Sequence, residues 1–110
     1  MDIPEIDVAE LAKRQADGAA LIDVRSPGEF AEARVPGAHL IPLADVVERI
    51  EEVPTDGIVY VICATGARSA KAAQHFRSIG IDAVNVAGGT VAWIDAGLPI
   101  ERAGSEAGSG

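Results

Sequence analysis

Cysteine is nearly absent from this 110-residue chain: there is one, Cys63. A single cysteine excludes an intramolecular disulfide and offers no cysteine cluster for a metal. Aromatic residues are equally sparse, at 4%, so the core has to be packed from Val, Ile, Leu and Ala. Basic residues are few, 9 Lys and Arg against 17 Asp and Glu, for a net charge of −8. That deficit argues against nucleic acid as a partner. No apolar run approaches the ~20 residues that span a bilayer. The acidic start Met1-Asp2-Ile3-Pro4-Glu5 has neither the basic nor the apolar region of a signal peptide. The expectation is one cytoplasmic domain without a membrane partner, and 48% hydrophobic residues suffice for its single core.

What is present alternates in period. Asp7-Val8-Ala9-Glu10 has the form of a capping box, opening a helix that ends at Asp17-Gly18. Ala20 to Val24 is a short apolar strand. Ser26-Pro27-Gly28-Glu29-Phe30 turns into a brief helix that Pro36-Gly37 terminates, and Ala38 to Ile41 reads as a strand stopped by Pro42. Leu43, Val46, Val47 and Ile50 recur at helical spacing, predicting an amphipathic helix to about Pro54. A strand over Ile58 to Ile62 follows, then a helix whose face carries Ser69, Ala72, Ala73, Phe76 and Ile79, capped by Gly80. A last strand, Asp82 to Val86, breaks at Gly88-Gly89 before a short helix from Thr90 to Ala96. The glycine- and serine-rich segment from Ala103 to Gly110 is expected to be a disordered tail on a domain of residues 1–102. Strands alternating with helices predict an α/β fold, a mainly parallel sheet covered on both faces.

The chemistry concentrates in Cys63-Ala64-Thr65-Gly66-Ala67-Arg68-Ser69. A thiol at the carboxyl end of a strand, turning through small residues into a helix, stands where α/β sheets bind ligands. Backbone N–H groups and the helix dipole favour negative charge there, and hence the nucleophilic thiolate. A mid-strand cysteine would be core filler; the glycine turn and Arg68 beside Cys63 argue for a reactive thiol instead. The acidic chain repels anions as a whole, so an anionic substrate has to rely on local donors: Arg68, the loop amides, and Lys71 or Arg77 farther along the helix.

Four segments in fixed order resemble a single-domain rhodanese, a member of the sulfurtransferase family. They are Leu21-Ile22-Asp23-Val24-Arg25 with Glu29-Phe30, Val35-Pro36-Gly37-Ala38, the cysteine loop, and Gly88-Gly89-Thr90-Val91-Ala92-Trp93 with Gly97-Leu98-Pro99. The resemblance implies a rhodanese-like fold, five mostly parallel strands flanked by helices on both faces. It implies transfer of a sulfane sulfur from a small donor such as thiosulfate to a thiophilic acceptor, whether cyanide, a thiol or a protein. Cys63 would be the catalytic persulfide carrier, with Ala64, Thr65, Gly66, Ala67 and Arg68 around the substrate and Asp23, Arg25 and Ser69 in support. Converging loop amides can satisfy the charge of a persulfide, with Gly66 supplying the backbone freedom. Arg68, by the same resemblance, closes the loop and presents positive charge to the donor. No cofactor or metal is implied. Arg34 stands where the family often has histidine, and the neutral Ala64, Thr65 and Ala67 leave the donor open between thiosulfate, another persulfide and a protein.

Other residues carry two readings. Asp23 and Arg25 either shape the cysteine loop or pair to hold a turn, with Glu29 as a second partner for Arg25; pairing is the stronger reading because buried charges must be neutralised. The Thr65 hydroxyl is a further donor or a plain exposed loop residue. His39 and His75 belong to no motif and read as structural or solvated. Trp93 reads as core, with Gly88-Gly89 admitting a close backbone approach beside the loop. A phosphatase on the same fold would have five residues between cysteine and arginine, whereas four stand here. A persulfide carrier or regulatory binding module with little turnover is the alternative of another class. A redox sensor is disfavoured, since there is no resolving cysteine.

Overall fold

The computed structural model describes residues 3–103, and in it the apolar runs become neighbours in one sheet. The strands are β1 (Glu5–Ile6), β2 (Ala20–Asp23), β3 (His39–Leu40), β4 (Val59–Ile62) and β5 (Ala83–Val86), in the order β1-β5-β4-β2-β3. Among the described residues every strand pairing is parallel, and the one antiparallel contact is a bridge between Arg34 and Glu101 outside the strands. β1 was not anticipated from its residues. Two residues are too short for a periodic signal, and β1 exists through its register with Asn85 and Val86.

Four helices cover the sheet: α1 (Val8–Ala16), α2 (Pro27–Glu32), α3 (Ala67–Ser78) and α4 (Gly89–Asp95). Alternation along β4 divides the core. Val59, Val61 and Cys63 face Ala72, Ala73 and Phe76 of α3, while Tyr60 and Ile62 face Leu11 of α1 and Trp93 of α4. β2 leads outward to β3, and the chain then returns across β2 to β4, so the strand order reverses between β2 and β4. The carboxyl ends at such a reversal frame the crevice of an open α/β sheet. Asp23 and Cys63 stand there.

Several boundaries differ from the sequence expectation. The amphipathic pattern at Leu43 to Pro54 forms two 3-10 turns, Leu43–Asp45 and Ile50–Glu52, rather than a helix. Their backbone bonds are mostly of the three-residue type, such as Val46 N–H to the Leu43 carbonyl and Val53 N–H to the Ile50 carbonyl. A turn of three residues buries Val46 and Val53 and leaves Val47 exposed, and β-branched Val46 and Val47 give little helix propensity to resist it. Helix α3 starts at Ala67, and Ile79 is its exposed C-cap rather than part of its buried face. Ile58 precedes β4 and is exposed.

Asp7 caps α1 through the Glu10 N–H, but the Glu10 carboxylate turns to Arg14 instead of completing a box. The full capping box is Ser26 with Glu29, opening α2. The Ala103 N–H donates to the Ala31 carbonyl; the rest of the expected tail, residues 104–110, lies outside the described residues, as do residues 1–2. Among the described residues no helix is long and apolar enough to cross a membrane.

Candidate active site

The place of Cys63 follows from β4. Cys63 is the residue after its last strand position, and burial leaves it only 1% exposed. Its Sγ accepts a hydrogen bond from the Gly66 N–H at 3.1 Å and another from the Ser69 hydroxyl at 3.2 Å. Burial pushes the thiol pKa up. The Ser69 hydroxyl and the amides of Ser69, Gly66 and Thr65 outweigh it, so the thiol pKa lies below its ordinary value.

Why the loop amides turn inward is visible in where its carbonyls go. The first N–H groups of a helix have no partner inside it. In α4 two of them are taken by the loop: Thr90 N–H binds the Cys63 carbonyl at 2.9 Å and Val91 N–H binds the Ala64 carbonyl at 3.0 Å. The Thr90 hydroxyl adds a second bond to the Cys63 carbonyl. In a planar trans peptide the N–H points opposite to the C=O. With the carbonyls of Cys63 and Ala64 drawn onto α4, the N–H groups of Ala64 and Thr65 point away from it. Gly89 makes this contact possible, because a Cβ there would lie 2.5 Å from both of those carbonyl oxygens. The close approach expected of the Gly88-Gly89 pair is thus a backbone-to-backbone clamp. Gly66 supplies the loop's sharp turn at φ +110°, in the left-handed region that favours glycine.

Arg68 lies in the first turn of α3, not within the loop. Both of its terminal nitrogens bind the Glu29 carboxylate, each at 2.8 Å. Through Arg68, and through the N–H and hydroxyl of Ser26, the Glu29 carboxyl is lowered to about 2. The same pairing raises Arg68. The pair fastens α2 to α3 beside the cysteine loop. Its guanidinium is therefore already engaged, a departure from the expectation of a charge held out to the donor. Arg77 is not part of the site: it sits at the far end of α3, paired with Asp82 and the Ala83 carbonyl. The shallow pocket beside it, lined by Arg77, Gly80, Ile81 and Asp82, is likewise remote from Cys63. Lys71 is exposed on α3.

Asp23 and Arg25 form a buried pair, with contacts of 2.8 to 3.1 Å, and Arg25 also donates to the Ala33 carbonyl. They take up their own charges and support the turn after β2. Of the two partners open to Arg25, Asp23 is the one used. Thr65 and Ala67 are exposed at the mouth of the loop, and Ser69 is buried beneath it. His39 is bonded to Glu52, and His75 stacks obliquely near Phe76; neither touches Cys63. Trp93 is buried, with its indole N–H on the Pro99 carbonyl at 2.6 Å.

Two neighbours of the loop escaped the sequence reading as site residues. Glu29 had a signal in its capping-box spacing with Ser26, but its partner Arg68 is 39 positions away. Asn85 is a polar residue inside the apolar run Ala83-Val84-Asn85-Val86, an anomaly in a strand buried on both faces. Its amide reaches the Gly66 carbonyl.

Known proteins resemble this chain in sequence and fold. A sequence model of the Rhodanese-like domain matches residues 7–96. A sulfurtransferase of Allochromatium vinosum is 38% identical over 101 residues, 89% of this chain and 94% of that protein. The thiosulfate sulfurtransferase GlpE of Vibrio cholerae is 37% identical over 98 residues, 87% of this chain and 92% of its own. Among solved structures, a rhodanese-related protein of Thermoplasma volcanium matches with a TM-score of 0.84 at 31% identity, covering 89% of this chain and 97% of the other.

Proposed function

The chain belongs to the rhodanese family, and on that premise we propose that it is a thiosulfate sulfurtransferase working through a persulfide on Cys63. The observation that carries the proposal is the environment of Sγ, a buried sulfur at a sheet's carboxyl end accepting from the Gly66 amide and the Ser69 hydroxyl. A site that favours thiolate over thiol has its nucleophile ready. The relative named thiosulfate sulfurtransferase supports thiosulfate as a donor.

In the first half-reaction the Cys63 thiolate attacks the outer sulfur of thiosulfate. A new S–S bond forms to Sγ, and the old one breaks with its electron pair leaving on sulfite. The persulfide's terminal sulfur keeps the negative charge, and the amides of Ala64, Thr65, Gly66, Ala67 and Arg68 surround it. In the second half-reaction a thiophilic acceptor attacks that sulfur and the bonding pair returns to Sγ. Cyanide leaves as thiocyanate, a thiol as its persulfide, and a sulfur-accepting protein takes the same place. Ser69 steadies the thiolate, while Asp23 and Arg25 hold the neighbouring turn. No proton has to move with thiosulfate and cyanide, which fits a site with no histidine beside the sulfur. A reducing compartment, the cytoplasm, suits a chemistry that depends on a free thiol.

The test is intact-protein mass spectrometry after incubation with thiosulfate, followed by a cyanide chase. The expected result is a gain of one sulfur atom on Cys63, removed by cyanide with release of thiocyanate. Loading without turnover would move the role to a persulfide carrier. No loading from thiosulfate or any other sulfane donor would overturn sulfur transfer itself.

A further inference from the structure

Asn85 is 1% exposed on β5, between Glu5 of β1 and Val61 of β4. It shares the α3 side of the sheet with Ala83, which packs among Ala72, Ala73 and Phe76. Its side-chain nitrogen donates to the Gly66 carbonyl at 3.2 Å and to a Glu5 carboxylate oxygen at 2.8 Å. Both partners are acceptors only, so both amide hydrogens are used and the amide has one possible orientation. That orientation leaves Oδ1 buried without a partner. A buried acceptor without a partner is destabilising.

Stability alone does not account for an asparagine here. A leucine of similar size would remove the orphaned oxygen. The Gly66 carbonyl would keep the Ala70 N–H at 3.2 Å, and the exposed Glu5 carboxylate would return to water. What only the amide supplies is a second grip on the Gly66 carbonyl. Gly66 is the left-handed hinge of the loop, and its own N–H is on Cys63 Sγ. Because the peptide that follows is planar and trans, fixing the Gly66 carbonyl inward turns the Ala67 N–H the opposite way.

We propose that Asn85 is a positioning residue for the sulfur-transfer loop, gripping the Gly66 carbonyl so that the Gly66 N–H meets Sγ and the Ala67 N–H faces the transferred sulfur. The inference rests on the sulfur-transfer reading above for its role in turnover, and on geometry alone for its effect on the thiolate. Asn85 touches neither the substrate nor Sγ; it acts through Gly66.

The experiment compares wild type, Asn85→Leu and Glu5→Ala by thermal unfolding, by the pH dependence of Cys63 alkylation with iodoacetamide, and by persulfide loading from thiosulfate. Asn85→Leu is expected to keep or raise the melting temperature, yet to alkylate about three- to tenfold more slowly at neutral pH, with its rate curve displaced to higher pH. Loading should slow in parallel. Glu5→Ala should retain the wild-type alkylation profile. An unchanged profile in folded Asn85→Leu would overturn the proposal. An equal loss in Glu5→Ala would also overturn it, by assigning the effect to the β1 edge. Should Asn85→Leu fail to fold, Asn85→Val, a natural strand residue, carries the same expectation and the same refutation. Failure of wild type to load sulfur would overturn the function proposed above, while the alkylation profile still decides the role of Asn85.

Discussion

Replacing Glu29 by glutamine probes how the ion pair beside the loop contributes to stability and to donor choice. The carboxyl is lowered from 4.5 to about 2, chiefly by its hydrogen bonds to Arg68. At 1.36 kcal/mol per unit that difference sets a ceiling of about 3 kcal/mol. The two side chains are 35% and 39% exposed, and exposed pairs are screened to ~0.2–1 kcal/mol. The bidentate geometry puts this pair at the upper end, about 1 kcal/mol. Its folded value lies below its unfolded one, so the stabilisation is full above pH 4.5 and is lost as pH falls through about 2. Glu29→Gln is therefore expected to lower the melting temperature at pH 7 by about 4 °C. The deficit should shrink between pH 4.5 and 2, the window set by the two carboxyl values. The assay is thermal unfolding across that window, with an Arg68→Ala and double-variant cycle at pH 7. A deficit that does not change with pH, or a coupling energy of zero in the cycle, would refute the pairing argument. The same variant releases the Arg68 charge beside the loop, so the KM for thiosulfate should fall about threefold or more with kcat little changed.

Other substitutions test separate parts of the site and core. Cys63→Ser should abolish sulfur transfer, since a hydroxyl is a far weaker nucleophile at neutral pH, and circular dichroism should show the fold retained; activity near wild type would eliminate the mechanism. Ser69→Ala removes the hydroxyl on Sγ, and the rate of iodoacetamide alkylation at pH 7 should drop about three- to tenfold; an unchanged rate would leave the amides as sole support of the thiolate. Trp93→Ala should cost ~3–5 kcal/mol by denaturant unfolding, since it empties a buried site and strands the Pro99 carbonyl; an unchanged midpoint would contradict its core role. Gly89→Ala places a methyl 2.5 Å from two carbonyl oxygens, and about 2–4 kcal/mol of stability should be lost together with transfer activity; a stable, active variant would show that α4 can shift without disturbing the loop.

What could be read in the chain beforehand divides along local and non-local lines. The strands at Ala20, Ile58 and Asp82 announced themselves because a parallel sheet buried on both faces needs continuous apolar runs. The cysteine turn was equally legible, since its parts adjoin in sequence. The segment from Leu43 misled because apolar residues three and four apart suit a 3-10 turn as well as a helix, and only the packing of Val46 and Val53 decides. β1 is made by pairing alone. Arg68 was visible as a cation near the thiol, but its engagement by Glu29 spans 39 positions and arises when β2 and β4 become neighbours. Asn85 showed itself only as a polar residue in an apolar strand, with its partners Gly66 and Glu5 brought in by the sheet order.

Those non-local contacts explain how a buried thiol can have its pKa lowered rather than raised. Both charged pairs at this sheet edge are closed on themselves, Asp23 with Arg25 and Glu29 with Arg68, so neither gives Sγ a free counter-ion. The stabilisation comes instead from neutral N–H and O–H dipoles, and dipoles act only when they are held in direction. Three of the loop's carbonyls are held elsewhere: those of Cys63 and Ala64 on α4, that of Gly66 on Ala70 and Asn85. Aligned amides favour an anion at one point in space, where Sγ sits. The proposed reactivity therefore rests on the orientation of peptide planes, which Gly66 permits through its left-handed turn and Gly89 by admitting the carbonyls of Cys63 and Ala64.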